Sequence, residues 1–452
     1  MAKTIAVNPS LSLTEESGVQ SVYQKIGGLC IAIAVLALIA AAAGAGHAHP
    51  TLFLTIMVGM FFLGAGAYAL PYYQGTAGIR NNSIMFKSMT NRGTIAWILA
   101  IVLTGFYIII YWFPWMFEGL IRIFDPLSKL LTNQPANQWF MYGAFYTLAV
   151  LTMGIRFIAR NRNNRYQVIR TLSVMFFQTG FGFLIPMILK KLNEPEFYFA
   201  YFWPLKYSYL FPSDVSSLMS SGNLGVFMVF WGAMMTFIAT PILTYKYGKR
   251  WYCSWVCGCG GLAETAGDPY RHLSDKSLKA WKIERWMVHS VLVFITVTTI
   301  LLWLNSYYKG GTLGSVSGAF AQWYGFFIGA IFSGVIGVGF YPIMGSRVWC
   351  RFGCPMAAIL GIFQRYKSKF RITTNGGQCI SCGNCSTYCE MGIDVRAYAQ
   401  KGQNIVRASC VGCGICASVC PRGVLKLENG EEEGRINEKP ITIGNNNYYS
   451  NL

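Results

Sequence analysis

The chain has 452 residues, of which 54% are hydrophobic, 15% aromatic and only 12% charged, with a formal net charge of +19. Soluble domains carry roughly a quarter charged residues, so this composition excludes an ordinary soluble fold and points to a membrane protein. The basic excess reads as charge on cytoplasmic loops, where Lys and Arg of multi-span proteins gather, and no nucleic-acid partner is expected.

Residues 1–24 are polar and mixed and read as a flexible N-terminus. An apolar stretch follows from Ile26 to Gly46 and ends in small residues before His47 and His49. A signal peptide would look similar, but the leader is too long and too weakly basic, so an uncleaved first span is expected. Further apolar runs lie near 51–73, 94–117, 138–159, 168–189, 222–245, 286–305 and 318–344. Each is long enough to cross a hydrocarbon core of about 30 Å at about 1.5 Å per residue. The expected transmembrane domain is therefore 25–345, with about eight spans.

With the N-terminus inside, the inner loops 74–93, 160–170 and 246–285 hold 15 Lys and Arg, against 6 in the outer loops. That bias predicts a bacterial inner-membrane protein whose N-terminus and C-terminal domain are both cytoplasmic. Arg156, near the inner end of its span, is expected to snorkel to the interface. The outer loop 190–221 is dense in aromatics, including Phe197, Tyr198, Phe199, Tyr201, Phe202 and Trp203. It fits an interfacial aromatic belt, a lid over a quinone, or a docking surface for a redox partner.

After the sixth span comes Cys253-Ser-Trp-Val-Cys257-Gly-Cys259, and after the eighth comes Cys350-Arg-Phe-Gly-Cys354-Pro355. Two spans separate these pairs, so they emerge on one side of the membrane. The x3 spacing suggests one helical turn, with both sulfurs of a pair on one face. Together Cys253, Cys257, Cys350 and Cys354 could hold a third metal site, most readily another iron–sulfur cluster. A dithiol redox pair, a copper site, inert packing, or Cys259 in place of one of the four remain alternatives. Residues 346–375 join this surface region to the next domain through a basic stretch, Arg365 to Arg371, expected to touch lipid headgroups.

Residues 376–427 contain two C-x2-C-x2-C-x3-C runs: Cys379, Cys382, Cys385, Cys389, then Cys410, Cys413, Cys416, Cys420-Pro421. Thiolates at this spacing bind two [4Fe–4S] clusters, the fourth cysteine of each run crossing to the other cluster. Cluster one would use Cys379, Cys382, Cys385 and Cys420; cluster two would use Cys410, Cys413, Cys416 and Cys389. The acidic, Asn-rich tail 428–452 is expected to be flexible. The fold class is thus an α-helical polytopic membrane protein with a C-terminal α+β two-cluster ferredoxin-like domain.

Two C-x3-C pairs after membrane spans, followed by a two-cluster ferredoxin, resemble the NosR/NapH family of membrane polyferredoxins over roughly residues 220–425. The resemblance implies quinol oxidation and electron supply to a reductase within a multi-subunit chain. The family pattern is C-x3-C-P, met at Cys350 to Pro355, whereas the first pair is followed by Gly258 and Cys259. The family's NosR type carries an external flavin domain that is not recognisable here, so the NapH type is the nearer match.

The sequence has no C-x-x-C-H for haem c, and its four histidines, His47, His49, His272 and His289, do not form the paired set a transmembrane haem needs. Ser317-Gly318-Ala319-Phe320 departs from the covalent-flavin pattern at the attaching residue, and no nucleotide loop is present. The expected function is electron transfer between the quinone pool, or a membrane partner, and cytoplasmic [4Fe–4S] clusters, in contact with lipid and other redox subunits; a quinol dehydrogenase subunit is one form of it. The alternatives are a maturation protein supplying electrons for metal insertion, as in a copper-insertion reductase, and an anchor or relay subunit of a larger oxidoreductase.

Overall fold

The computed structural model describes residues 21–74, 87–308, 315–375, 378–429, 441–443 and 448–450. The expected flexible N-terminus lies outside these residues as far as position 20, and so does most of the expected flexible tail. The remainder is mainly helical. Eight helices are long and apolar enough to cross a membrane: α1 (Val22–Ala42), α2 (Pro50–Pro71), α3 (Thr94–Trp112), α4 (Gln138–Arg160), α5 (Arg165–Lys191), α6 (Asn223–Tyr247), α7 (Leu278–Tyr307) and α8 (Val316–Ile336). The first starts where Ser21 caps the amide of Gln24 and Gln24 returns the bond, a reciprocal N-terminal box. Their apolar surfaces face outward, with exposed Leu, Ile, Val and Phe side chains along α1, α3, α6 and α7, as a lipid-solvated bundle requires.

The eighth span is shorter than the 318–344 expected from its apolar run. It ends at Ile336, and a separate turn, Tyr341–Met344, follows. Gly334, Gly337, Gly339 and Pro342 crowd this stretch, and glycine and proline weaken a continuous helix through backbone freedom and a missing donor.

Three spans contain wide π-type turns: Gly180–Leu184 in α5, Met235–Ala239 in α6 and Tyr324–Ile336 in α8. Such turns often mark functional positions. Here all three surround the loop 192–211, which enters the bundle. Phe199 stacks on Phe177 and Phe181 of α5, with ring centroids 5.3 and 5.8 Å apart. The Trp203 backbone exchanges two bonds of 3.1 Å with the Thr236 hydroxyl of α6. Tyr207 lies on α8 over Gly325 and Gly329, where a Cβ at 325 would come 2.8 Å from its hydroxyl and one at 329 3.3 Å from its ring.

Beyond α8, helix α9 (Pro355–Lys367) leads into strand β1 (Phe370–Thr374). Strand β2 (Leu425–Asn429) pairs antiparallel with β1, Phe370 opposite Asn429 and Thr374 opposite Leu425. The basic connector is therefore not simply a headgroup-facing linker: its last residues, Phe370 and Arg371, are buried in the sheet. Glu428 likewise belongs to β2, where it accepts a 2.9 Å bond from Thr373. Short helices Asn384–Thr387 and Ile415–Ser418 rise from the two cysteine runs, each introduced by a left-handed glycine, Gly383 and Gly414.

Candidate metal centres

Each C-x3-C pair straddles a break between two helices, which corrects the expectation of one shared helical turn. Cys253 ends the helix Arg250–Cys253, and Cys257 is the N-cap of the helix Gly258–Glu264. Cys350 lies in the helix Val348–Phe352, and Cys354 is the N-cap of α9. The cause is local: Gly353 and Pro355 interrupt the second pair, and Pro suits the first helical position because its missing N–H has no partner to lose. The second cysteine of each pair thus sits at a helix N-terminus, where unsatisfied amides and the helix dipole favour an anionic sulfur. The Cys257 sulfur accepts from the amides of Gly260 and Cys259. The Cys354 sulfur accepts from that of Ala357, but burial and the neighbouring Cys350, Cys253 and Cys257 sulfurs outweigh this and raise the thiol.

The structure brings the two pairs together. Cys253, Cys350 and Cys354 share one buried core, with Cys257 packed against it. Burial pushes the Cys253 thiol up to about 12, opposed by the nearby Lys249 ammonium. The Cys259 thiol donates to Cys257, which holds Cys257 below its ordinary value against the effect of burial. Cys259 is therefore a hydrogen-bond partner of a pair member in this arrangement. Among the described residues no three Cys, His, Asp or Glu side chains converge tightly enough for a single metal ion.

Around these thiols runs a buried ionic network, absent from the sequence reading. Arg347 donates to the Cys253 carbonyl at 3.2 Å and to the Cys350 sulfur at 3.7 Å, while its second nitrogen pairs with Glu264 and, at 3.0 Å, with Glu390. Glu264 also meets Arg170. Glu390 meets Arg271 at 3.2 Å, and Arg271 meets Asp268 at 3.1 Å. Asp268 in turn pairs with Arg160 at 2.9 Å and with Arg156 at 3.4 Å. Arg156 therefore does not snorkel as expected; a buried carboxylate holds it. Burial alone would lower the Arg347 guanidinium, but Glu390 and the Cys350 sulfur outweigh this and raise it. The network ties the cysteine pairs to Glu390, the residue after Cys389.

In the C-terminal domain, Cys420 lies with Cys379, Cys382 and Cys385, each close enough to perturb Cys385. Cys389 lies with Cys410, Cys413 and Cys416 in the same way. The two sets differ in position. The 407–413 run is clamped to the helical domain: Gln364 of α9 donates to the Cys410 carbonyl at 2.7 Å, Ser254 to Val411 at 2.7 Å, Tyr166 to Gly412 at 2.8 Å and Gln167 to Cys413 at 2.8 Å. The other run faces outward, with Cys382 and Ile380 exposed.

On the opposite side of the cysteine pairs lies a cavity of about 660 Å³. Its floor carries Cys257, Cys259 and Cys354, its walls Tyr142, Tyr146 and Gln178, and its far rim Lys190, Glu196, Tyr198 and Tyr201. Cys259 is exposed into it. The aromatic loop is not a lipid-facing belt: Phe202 has 0% exposure and packs on Tyr252, between Cys253 and the rim, at 5.6 Å.

A family described as a 4Fe-4S dicluster domain matches residues 378–425. One described as a 4Fe-4S binding domain matches twice, over residues 229–278 and 324–373, each copy containing one cysteine pair. Among curated proteins the chain is 24% identical over 170 residues to the "Putative electron transport protein YccM" of Escherichia coli K12, covering 36% of this chain and 47% of that one. It is 22% identical over 216 residues to the uncharacterized protein MJ0750 of Methanocaldococcus jannaschii, covering 46% of this chain and 84% of that one. The chain thus spans about half the length of the first of these relatives. No solved structure matches. The chain is an iron–sulfur protein with eight membrane-length helices among the described residues and a C-terminal ferredoxin domain.

Proposed function

We propose that this is an integral membrane electron-transfer protein of the NosR/NapH kind, moving electrons between a quinol and a partner on the ferredoxin side. One observation carries the reading: the four-thiol set lies between a tyrosine-lined cavity and the cysteine run clamped beneath it. Iron–sulfur clusters, when bound, supply one-electron transfer over a range of potentials set by charge, hydrogen bonding and burial. Cys253, Cys257, Cys350 and Cys354 hold the membrane-side group. Cys410, Cys413, Cys416 and Cys389 hold the near ferredoxin group, and Cys379, Cys382, Cys385 and Cys420 the far one. The amides on Cys257 and Cys354, and Arg347 on Cys350, stabilise anionic sulfur. Tyr142 and Gln178 offer hydrogen bonds to a quinol head group, and Tyr198 and Tyr201 shield it from the far side. A redox partner meets the exposed Cys382 edge.

Iron analysis of the purified chain tests the ligand sets. About twelve irons per chain are expected, falling to about eight in Cys350→Ser/Cys354→Ser, four being lost with one cubane. Addition of a quinol analogue under anaerobic conditions should develop the electron paramagnetic resonance signal of reduced clusters. A chain that holds twelve irons and gives no signal with any quinol sinks the quinol reading while leaving the ligand sets intact.

A further inference from the structure

A second, smaller cavity lies on the ferredoxin side, between α7, α9 and the loop 407–409; Cys350 forms part of its wall, but the electron-transfer reading leaves its cations without a role. It measures about 150 Å³. Five cationic side chains line it, Lys249, Arg285, Arg351, Arg365 and Arg407, against the single carboxylate of Glu284. That carboxylate is already taken by Arg351 at 3.1 Å. Lys249 is the decisive group. It is 2% exposed, and the bond drawn from its ammonium goes to the Ala408 carbonyl at 3.3 Å. That ammonium stands near the Cys253, Cys350 and Cys410 sulfurs, and its other side borders a cavity with room for a phosphate-sized group.

The rim is built as a membrane interface. The Trp281 ring is held between Arg407 at 4.7 Å and Arg285 at 5.1 Å. Ile362 and Tyr366 on α9 line the cavity and stand exposed. Tryptophan and tyrosine favour the headgroup level of a bilayer, and basic pockets between helices there receive anionic headgroups. We propose that this cavity binds the phosphate of an anionic phospholipid, Lys249 meeting the phosphate, Arg285, Arg365 and Arg407 closing around it, and the acyl chains running along Ile362 and Tyr366. Free inorganic phosphate shares the chemistry but would not use the apolar rim.

The inference does not rest on the quinol reading and is tested without activity. The delipidated full chain is reconstituted in phosphatidylcholine nanodiscs with and without phosphatidylglycerol, and in phosphatidylcholine with inorganic phosphate. Bound phosphatidylglycerol per chain is read by native mass spectrometry, and thermal stability in parallel. About one retained phosphatidylglycerol is expected, with stabilisation by the lipid and none by phosphate. Each lost cation should weaken retention about fivefold, so Arg285→Gln/Arg407→Gln should lose about 25-fold. Lys249→Met should lose the lipid as well; should that buried change prevent folding, the exposed Arg365→Gln gives the same reading with a smaller loss. Equal retention in wild type and variants overturns the site. Equal stabilisation by inorganic phosphate overturns the lipid as its occupant.

Discussion

Replacing Arg347 by Met removes the residue on which the two halves of the molecule converge. The guanidinium has 0% side-chain exposure and touches Glu264, Glu390, the Cys253 carbonyl and the Cys350 sulfur. Methionine keeps much of the volume, so the loss is mainly electrostatic. Removing one partner of a buried ion pair costs about 3–5 kcal/mol, because a charge is left uncompensated. Here each carboxylate keeps a second guanidinium, Arg170 on Glu264 and Arg271 on Glu390, which places the cost near the lower bound, about 3 kcal/mol. That is a large fraction of the roughly 5–15 kcal/mol by which folded domains are stable. At about 2–4 °C per kcal/mol for large domains, the melting temperature should fall by about 6–12 °C. The assay is a thermal scan of the detergent-solubilised chain, with iron content before heating. Arg347→Lys, which keeps the charge but not the planar fork, should recover part of the loss. A shift under about 2 °C for Arg347→Met, well below the pair cost, would show that the carboxylates are neutral or hydrated and refute the network.

Asp268 gives a pH signature. Burial pushes its carboxyl up, but the guanidiniums of Arg160, Arg271 and Arg156 outweigh this and hold it below the ordinary range. A depressed folded value stabilises fully above the unfolded value, about pH 4, and the contribution fades as pH falls through the lower folded value. The acid limb of wild-type stability should therefore be steeper below pH 4 than that of Asp268→Asn; parallel limbs in melting temperature against pH would contradict it. Gly260→Ala should abolish iron at the paired-cysteine site, since a Cβ there would stand 2.0 Å from the Cys253 carbonyl oxygen; iron equal to wild type would show that the break at 254–257 can relax. Chelators should bleach the far cluster set first, because Cys382 is exposed whereas Cys410 and Cys416 are buried. Simultaneous loss, followed by electron paramagnetic resonance, would count against the near-and-far arrangement.

The eight spans were legible because lipid-facing helices must be apolar along their whole length, and composition alone carries that signal. The two ferredoxin runs were legible because cluster ligation fixes the spacing of cysteines in the chain. The ionic network was not. Glu264, Asp268 and Glu390 look like ordinary loop carboxylates until folding brings residues 170, 271 and 347 to them. One signal was available: the chain has only 18 acidic residues, and Glu390 directly follows Cys389 while Glu264 and Asp268 stand five and nine residues past Cys259. The x3 spacing misled for a physical reason, since it fits a helical turn equally well until Gly353 and Pro355 are read as a break followed by a new N-terminus. The aromatic loop was ambiguous because hydrophobicity does not say whether a ring faces lipid or protein; what decides it is the widened turns and the Gly325 surface that accommodate the loop.

The two matches of one 4Fe-4S binding domain, over 229–278 and 324–373, explain why the paired-cysteine site is built as it is. Each copy supplies a span with a π-type turn, a break with one cysteine before it, and a second cysteine capping the next helix. Neither copy brings more than two thiols in the shared pattern, so a four-thiol set exists only when the copies face each other. The facing arrangement also concentrates sulfur charge in a buried place, and a cation must answer it. Arg347 comes from the second copy and reaches the Cys253 carbonyl of the first; Lys249 comes from the first and lines a cavity with Cys350 of the second. The copies have diverged where symmetry is no longer useful. The first carries Cys259, exposed into the large cavity, where the second carries helix α9, whose Gln364 grips Cys410. Both copies line the cavity, through Cys257 and Cys259 of the first and Cys354 of the second, and both grip the ferredoxin domain, through Ser254 and Gln364, so the duplicated element becomes one junction with two different sides.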